Sequence, residues 1–242
     1  MRWLDTEGRR KGWSPRTYNA FLKAAKAVTR WAEAKDYIAR DPLRSLRLAE
    51  DPANVKVRRA LTVQEFRRLS DWRRFDDLLF CVFTGLRWTE ATGIRFMDLD
   101  FQRRIITVPK GVGKRDRNVT SLIPMASILV DSLRGRAAIG QATVIRDTPG
   151  HRTWRRNIEA CGITFETDRG LCVASSLRPT FCQWLAEAGV DNDTRMRLRR
   201  DKGMLVEFVY TDRDRLLEPM RESLERTVRW YRRQVERVQV TA

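Results

Sequence analysis

Only one histidine, His151, occurs among the 242 residues of the sequence. This shortage excludes a metal site built from several histidines, because such a site needs more than one imidazole ligand. The glycine-rich motifs that hold nucleotide phosphates are also missing, so we expect neither a metal nor a nucleotide cofactor. The four cysteines have no short paired spacing, which predicts reduced thiols, as in the cytosol.

Long hydrophobic runs are missing as well. No stretch of about 18 apolar residues occurs, so we expect no membrane-spanning helix. The chain begins MRWLDTE, which contains no apolar core of a secretory signal. These absences, together with the unpaired cysteines, predict a cytoplasmic protein.

Positive charge is what the sequence has in excess. Lysine and arginine number 48 against 31 acidic residues, which gives a formal net charge of +17. The excess is spread along the chain and is not confined to one tail. A folded protein of this composition is expected to bind a polyanion, and nucleic acid is the first candidate.

Apolar residues recur at helical spacing through most of the chain, and only short segments are rich in β-branched residues. Strands are predicted over residues 104–108 and 118–123, joined by a glycine-rich basic tip at residues 109–117. The fold class is therefore mainly α with a small β-sheet or hairpin (α+β). Besides a helix that begins at Ser14-Pro15, the predicted helices cover residues 62–70, 74–84, 125–134, 152–161, 176–188, 192–200 and 218–238.

A polar segment over residues 50–59 divides the chain and has the composition of a linker. Behind it, Thr62 and Glu65 form the pattern of a capping box, with Leu61 and Phe66 as the flanking hydrophobic staple, which indicates the start of a new domain. We therefore predict a helical part with its linker over residues 1–55 and a larger domain over residues 56–242. The first part is too small to be a stable domain alone.

Four separate features carry side chains that are suited to phosphoryl transfer. Arg87 follows an apolar helix and a glycine turn, the hairpin tip carries Lys110 and Lys114, Arg178 lies in the first turn of a helix, and Tyr210 follows 32 residues later. Two arginines can hold the non-bridging oxygens of a phosphate while charge builds up on them. In that positive field a tyrosine can attack as a phenolate, and a lysine can protonate the leaving oxygen.

The order and spacing of these features resemble the tyrosine recombinases, the phage integrase family. TGLRWTE at residues 84–90 is similar to the family's first arginine motif, and SSLRPTF at residues 175–181 resembles its His-x-Leu-Arg-His-Thr-Phe motif. The tip at residues 109–117 looks like the family's catalytic-lysine hairpin, and VYT at residues 209–211 stands where its nucleophile would stand. Residues 14–46 look like the last part of its helical core-binding domain.

The resemblance implies a recombinase-like catalytic domain, preceded by part of a core-binding domain, that closes around duplex DNA. It implies that the tyrosine forms a 3′-phosphotyrosyl bond with release of a 5′-hydroxyl, and that a second DNA end reverses this step inside a tetramer, without metal or nucleotide. The catalytic residues implied are Arg87, Lys114, Ser175, Arg178, Arg200 and Tyr210. We assign DNA binding to Lys23, Lys26, Arg30, Lys110, Arg115 and Arg117.

The chain departs from the family pattern at both catalytic histidine positions. Ser175 stands at the first, and Arg200 or Asp201, depending on the gap chosen, stands at the second. A serine can hydrogen-bond a phosphate but cannot shuttle a proton near neutral pH. Loss of one preorganised donor typically costs about 10²–10³ in rate, so reduced activity is a further expectation. His151 lies outside both positions and is expected at the surface or facing DNA.

Several alternatives remain open on the sequence alone. Lys110 is the rival of Lys114 as the catalytic lysine, each arginine could be a structural ion-pair residue, and Tyr210 could be a core tyrosine. Tyr231 is a weaker nucleophile candidate because it falls on an apolar helical stripe. Besides a strand-exchange enzyme, the chain could be a DNA-binding relative that no longer cuts, such as a regulatory protein or a mobile-element remnant. A relaxing enzyme like a type IB topoisomerase and a basic RNA-binding or structural protein are the remaining alternatives.

Overall fold

The computed structural model describes residues 2–50, 57–112, 120–200 and 213–240. The chain divides into two compact units, Met1–Lys56 and Val57–Ala242. Mostly helical structure with a small antiparallel sheet confirms the predicted fold class. The helices of the described residues are too short or too polar to serve as membrane spans. The assignment of the first unit to a core-binding domain, with its boundary at residue 55, stays a prediction.

The described part of the first unit contains the helices α1 (Arg2–Arg10) and α2 (Pro15–Ala34). Ser14 caps α2, because its side chain accepts a hydrogen bond from a backbone N–H of the first turn. The sequence analysis did not predict α1. This helix is tied to α2 by the Tyr18 hydroxyl, which donates to Asp5 over 2.8 Å.

The described part of the second unit contains helices, a three-stranded sheet and a two-stranded hairpin. The described helices are α3 (Val63–Arg68), α4 (Phe75–Thr84), α5 (Trp88–Ala91), α6 (Ser127–Ala138), α7 (His151–Ala160), α8 (Leu177–Glu187), α9 (Asn192–Leu198) and α10 (Arg213–Val240). Short 3-10 turns cover Phe96–Asp98 and Ala174–Ser176.

Strands β1 (Leu99–Asp100), β2 (Ile105–Val108) and β3 (Ser121–Pro124) form an antiparallel sheet in that order. Strands β4 (Glu166–Thr167) and β5 (Gly170–Leu171) form a separate hairpin. The β2–β3 hairpin lies where strands were predicted over residues 104–108 and 118–123. The β4–β5 hairpin lies within residues 164–173, where the sequence predicts an extended segment with a turn at residues 168–170. The tip that joins β2 to β3 is described only as far as residue 112 and again from residue 120.

Aromatic rings fill the core between α3, α4, α8 and α10. Trp184 on α8 is fully buried, and its ring contacts those of Phe66, Phe83 and Tyr231 at centroid distances of 5.3, 6.0 and 5.0 Å. Burial raises the pKa of Tyr231 to about 12, so this phenol is held in its neutral form. The core position agrees with the apolar stripe and leaves Tyr231 unsuited to attack a phosphate.

Several predicted helix boundaries are wrong, and the largest differences lie in α10 and α6. Helix α10 begins at Arg213, five residues before the predicted start at residue 218, and Pro219 lies inside it. Proline favours the first turn of a helix, but Pro219 lies beyond the first turn of α10. Helix α6 continues to Ala138 instead of ending at residue 134, and α9 ends at Leu198 instead of residue 200.

The predicted capping box is present at the start of α3. The Thr62 side chain accepts from the Glu65 N–H over 3.1 Å, and the Glu65 carboxylate accepts from the Thr62 N–H over 2.9 Å. We expect Thr62→Ala to lower the free energy of unfolding by about 1 kcal/mol, because a first-turn N–H loses its acceptor. Denaturant unfolding measures this change, and Thr62→Ser is the control that should keep wild-type stability. Equal losses in both variants would contradict the role of the hydroxyl.

Candidate active site

The site is built where the end of α4 meets α8. Helix α4 ends at Gly85, which has a left-handed φ of +64°. A Cβ built on Gly85 would lie 2.4 Å from the ring of Phe181 on α8. The position therefore needs glycine both for its backbone conformation and for the close approach of the two helices.

Arg87 follows this turn as the N-cap residue of α5. Its backbone N–H donates to Oε2 of Glu90 over 3.0 Å, and its guanidinium donates to Oε1 of Glu90 over 2.8 Å. Glu90 is buried, whereas 45% of the Arg87 side chain is exposed. The carboxylate therefore holds the backbone N–H and one guanidinium nitrogen of Arg87, and the exposed part of the side chain stays accessible to a ligand.

Arg178 lies in the first turn of α8 and reaches back to the end of α4. Its guanidinium donates to the carbonyl oxygen of Gly85 over 2.6 Å and to the carbonyl oxygen of Arg199. Burial, and next the positive charge of Arg87, lower the pKa of Arg178. The two guanidinium groups thus lie close enough to repel each other, and an anion bound between them would relieve that repulsion.

Arg200 lies behind Arg87, on the inner side of Glu90. Its guanidinium donates to Oε2 of Glu90 over 2.6 Å and to the Ser121 hydroxyl over 3.4 Å. The side chains of Arg200 and Glu90 are each only 4% exposed. Burial opposes ionisation of Glu90, but the charge of Arg200 and the bonds from Arg87 outweigh it and lower the pKa of this carboxylate.

A cleft of about 740 Å³ opens beside the two arginines. Its polar and charged lining includes Arg58, Arg87, His151, Ser175, Arg178 and Arg199. No aspartate or glutamate lies among the described residues that line it. A concave surface with several cations and no carboxylate is suited to a phosphodiester.

The structure brings some of the predicted site residues together and separates others. Arg87, Ser175 and Arg178 line the cleft. Arg200 does not line it, since its guanidinium is buried against Glu90. Lys114, Arg115, Arg117, Asp201 and Tyr210 lie outside the described residues, so their predicted roles stay predictions.

The predicted DNA-binding residues differ in their surroundings. Lys110 is exposed, just beyond the end of β2, and Lys23 and Arg30 are exposed on α2. Lys26 instead donates to the backbone carbonyl oxygen of Leu46 over 2.6 Å, so part of its hydrogen-bonding capacity is already used within its own unit.

Sequence reasoning missed two cleft residues, Arg58 and Arg199, and left open whether His151 lies at the surface or faces DNA. The histidine is exposed, as expected, but it also lines the cleft, and its ring meets Phe165 edge-on at 5.3 Å. The sequence pattern places Arg58 in a linker. The alternation of side chains along an extended segment could have indicated its exposure, because Arg58 and Arg59 then point to opposite sides.

Among the residues that the structure describes, no three side chains of histidine, cysteine, aspartate or glutamate lie grouped as metal ligands would. All four cysteines are free thiols, and Cys81 and Cys172 are buried. The polar groups of the described cleft include arginines, Thr89, Thr148, Ser175 and His151, and guanidinium and hydroxyl donors of this kind can bind anions.

The sequence matches a protein-family model, and the fold matches several solved structures. The model of the phage integrase family matches residues 60–198. A comparison with curated proteins gives no match. The integrase from mycobacterium phage Brujita is 23% identical, with a TM-score of 0.52, over 93% of this chain and 75% of that one.

Two further solved structures share the fold. The Tn1549 transposon integrase in complex with a circular intermediate DNA has a TM-score of 0.62 at 20% identity, over 87% of this chain and 79% of that chain. A lambda integrase dimer bound to a COC′ core site has a TM-score of 0.60 at 18% identity, over 84% and 77% of the two chains. At these identities the likeness establishes the fold alone, and in this chain the cleft is lined by residues of α4, α5, α7 and α8 and of the segments beside them.

Proposed function

The chain belongs to the phage integrase family, and from this premise we propose how its own residues cut and rejoin DNA. Its function is that of a site-specific tyrosine recombinase, and the substrate is duplex DNA. The observation that carries the proposal is the pair Arg87 and Arg178 in a cleft whose described lining has no carboxylate. Two adjacent guanidinium groups, with the Arg87 side chain 45% exposed, match the non-bridging oxygens of one phosphodiester.

Binding of the phosphate comes first. Arg178 is held in place by two backbone carbonyls and Arg87 by Glu90, so both donors are oriented before the DNA arrives. Preorganised donors stabilise the charge that builds up on the phosphate oxygens without having to rearrange during the reaction. The Ser175 hydroxyl lines the same cleft and can donate a further hydrogen bond to that phosphate.

The covalent step is assigned to Tyr210. Its phenolic oxygen forms a bond to phosphorus while the bond to the 5′-oxygen of the next nucleotide breaks, which leaves a 3′-phosphotyrosyl link and a 5′-hydroxyl. The phenolic proton passes to solvent, and the departing oxygen takes a proton from Lys114. Attack by a 5′-hydroxyl of another strand reverses the step and rejoins the DNA. Exchange between two duplexes requires four such sites, so we propose a tetramer on DNA.

A nicked duplex tests this function. Binding sites are first selected from random duplex DNA, and a nick placed a few nucleotides to the 3′ side of the cleavage position then lets the short fragment with the new 5′-hydroxyl diffuse away, which traps the covalent complex. We expect a complex that resists denaturation, with the DNA attached to Tyr210 in a peptide map. Sequence-specific binding without any adduct would favour the relative that no longer cuts, and an adduct on another residue would overturn the assignment of the nucleophile.

The substituted histidine positions favour a slow enzyme as a second candidate within the same family. Ser175 replaces one histidine, and Arg200 is turned toward Glu90 instead of the cleft. Neither side chain supplies a group that exchanges a proton near neutral pH. The wild-type protein is therefore proposed to cleave more slowly than a variant in which the first histidine is restored.

We expect Ser175→His to raise the single-turnover rate of cleavage by at least about tenfold, because an imidazole can both donate to the phosphate and exchange a proton. Ser175 is half-buried in the wall of a cleft of about 740 Å³, which leaves room for the ring. Adduct formation on saturating nicked DNA measures the rate, with Ser175→Asn as a control that donates a hydrogen bond but does not titrate. Equal rates in the two variants would contradict proton exchange as the missing function.

A further inference from the structure

The segment that leads into the second unit is paired to the β4–β5 hairpin. The Leu171 N–H donates to the carbonyl oxygen of Val57 over 2.8 Å, and the Arg59 N–H donates to the carbonyl oxygen of Leu171 over 3.0 Å. These two bonds form a parallel bridge that places Arg58 opposite Leu171. The backbone around Arg58 is therefore fixed by the same kind of bonds that hold a strand in a sheet.

Gly170 permits this pairing. Its φ is +120°, and a Cβ at this position would lie 2.0 Å from the carbonyl oxygen of Val57. No other residue could let the incoming backbone pass so close to the hairpin. Besides reversing the chain, the turn at residues 168–170 therefore also allows the close contact with the segment that carries Arg58.

Arg59 anchors the segment from the other side. Its side chain is buried and donates to both carboxylate oxygens of Glu65 over 2.8 Å, and to the carbonyl oxygen of Thr164 over 2.9 Å. Successive side chains of an extended segment point in opposite directions. With Arg59 directed into the protein, its neighbour Arg58 is directed outward, and it lines the cleft that holds Arg87 and Arg178.

We propose that Arg58 is a third DNA-binding arginine of this cleft and contacts the phosphate next to the one held by Arg87 and Arg178. The inference rests on the proposed function for the identity of the polyanion. A cleft of about 740 Å³ is much larger than one phosphate group needs, so it can also hold backbone on either side of that phosphate. The bridge to Leu171, the close contact at Gly170 and the buried Arg59 fix the backbone at Arg58 before DNA binds, which lowers the backbone part of the entropic cost of the contact.

The salt dependence of DNA binding tests this contact without requiring cleavage. We expect Arg58→Gln to reduce the slope of log Kd against log salt concentration by about one, because one fewer phosphate is neutralised. The cleavage rate on saturating DNA should change much less than the affinity. The matched control is Arg233→Gln, which removes one exposed arginine from α10, outside the cleft lining, and should leave the slope near the wild-type value.

A second variant separates charge from structure. Arg58→Lys keeps the positive charge and should restore most of the salt slope, with wild-type thermal stability. Equal slopes for Arg58→Gln and Arg233→Gln would overturn the proposal, since Arg58 would then act only as part of the general positive field. A slope for Arg58→Lys as low as that for Arg58→Gln would overturn it too. If no covalent adduct forms but Arg58→Gln still reduces the salt slope, only the proposed cutting function would be contradicted.

Discussion

Arg178→Gln should lower the rate of single-turnover cleavage on saturating DNA by about 10²–10³-fold, the usual cost of one preorganised donor that acts on developing charge. The affinity for DNA should fall far less, because one phosphate contact among many is lost in the ground state. A slower cleavage rate on saturating DNA, with little change in affinity, indicates that the Arg178 interaction is stronger in the transition state than in the ground state.

The size of this effect follows from how Arg178 is held. Its guanidinium is fixed by the carbonyl oxygens of Gly85 and Arg199, and the approach of Gly85 depends on the absence of a Cβ near Phe181. Burial and the charge of Arg87 lower the pKa of Arg178, so the protonated form of Arg178 is disfavoured beside a second cation. A phosphate that gains negative charge in the transition state would offset this repulsion more strongly than the phosphate of the ground state.

Two variants make this prediction specific. Arg178→Lys keeps the charge but loses the planar guanidinium. Its cleavage rate should lie between those of the wild type and Arg178→Gln. Arg233→Gln, which removes an exposed arginine from α10, should cleave at the wild-type rate. Thermal unfolding checks that Arg178→Gln is folded, since it loses two bonds to backbone carbonyls. Cleavage by folded Arg178→Gln within about threefold of the wild type would contradict the role.

Local patterns were enough to predict most helices and both hairpins. The capping box at Thr62 and the left-handed turn at Gly85 depend on neighbours within four residues, and the sequence displays those neighbours directly. Helix boundaries were predicted wrongly where a local sequence signal competed with tertiary packing. Helix α10 begins before Pro219 because α10 packs along α3, α8 and β3, and this packing outweighs the preference of proline for a first turn.

The cleft was predicted only in part, because motifs identify residue types and not the directions of side chains. Arg87 and Arg178 line the cleft as the motifs suggested, but Arg200, which shares the charge and a nearby motif position, is turned inward to Glu90. The direction of Arg200 depends on a partner 110 residues away in sequence. Arg58 was missed for the same reason, since its place is set by pairing with Leu171, far along the chain.

Glu90→Gln should lower the free energy of unfolding by about 3–5 kcal/mol, the usual cost of removing one partner of a buried ion pair. The substitution leaves the Arg200 guanidinium, whose side chain is 4% exposed, beside a neutral amide, and it also removes the charged partner of Arg87. The matched control is Glu225→Gln. Glu225 pairs with Arg104 over 3.0 Å and accepts from the Ser127 N–H over 2.9 Å, but it is 20% exposed. Its loss should cost only about 1 kcal/mol.

Two measurements decide whether the charge of Glu90 is the cause. The pKa of Glu90 is lowered in the folded state, so its contribution is complete above the unfolded value of about 4.3 and disappears as the pH falls through the folded value. The stability difference between the wild type and Glu90→Gln should therefore be constant near neutral pH and shrink in acid. Adding Arg200→Gln to Glu90→Gln should recover part of the loss, because the buried charge that lacks its partner is then gone. Fully additive losses, or a cost for Glu90→Gln no larger than for Glu225→Gln, would show that Arg200 does not depend on this carboxylate. Glu90 would then serve only to hold Arg87.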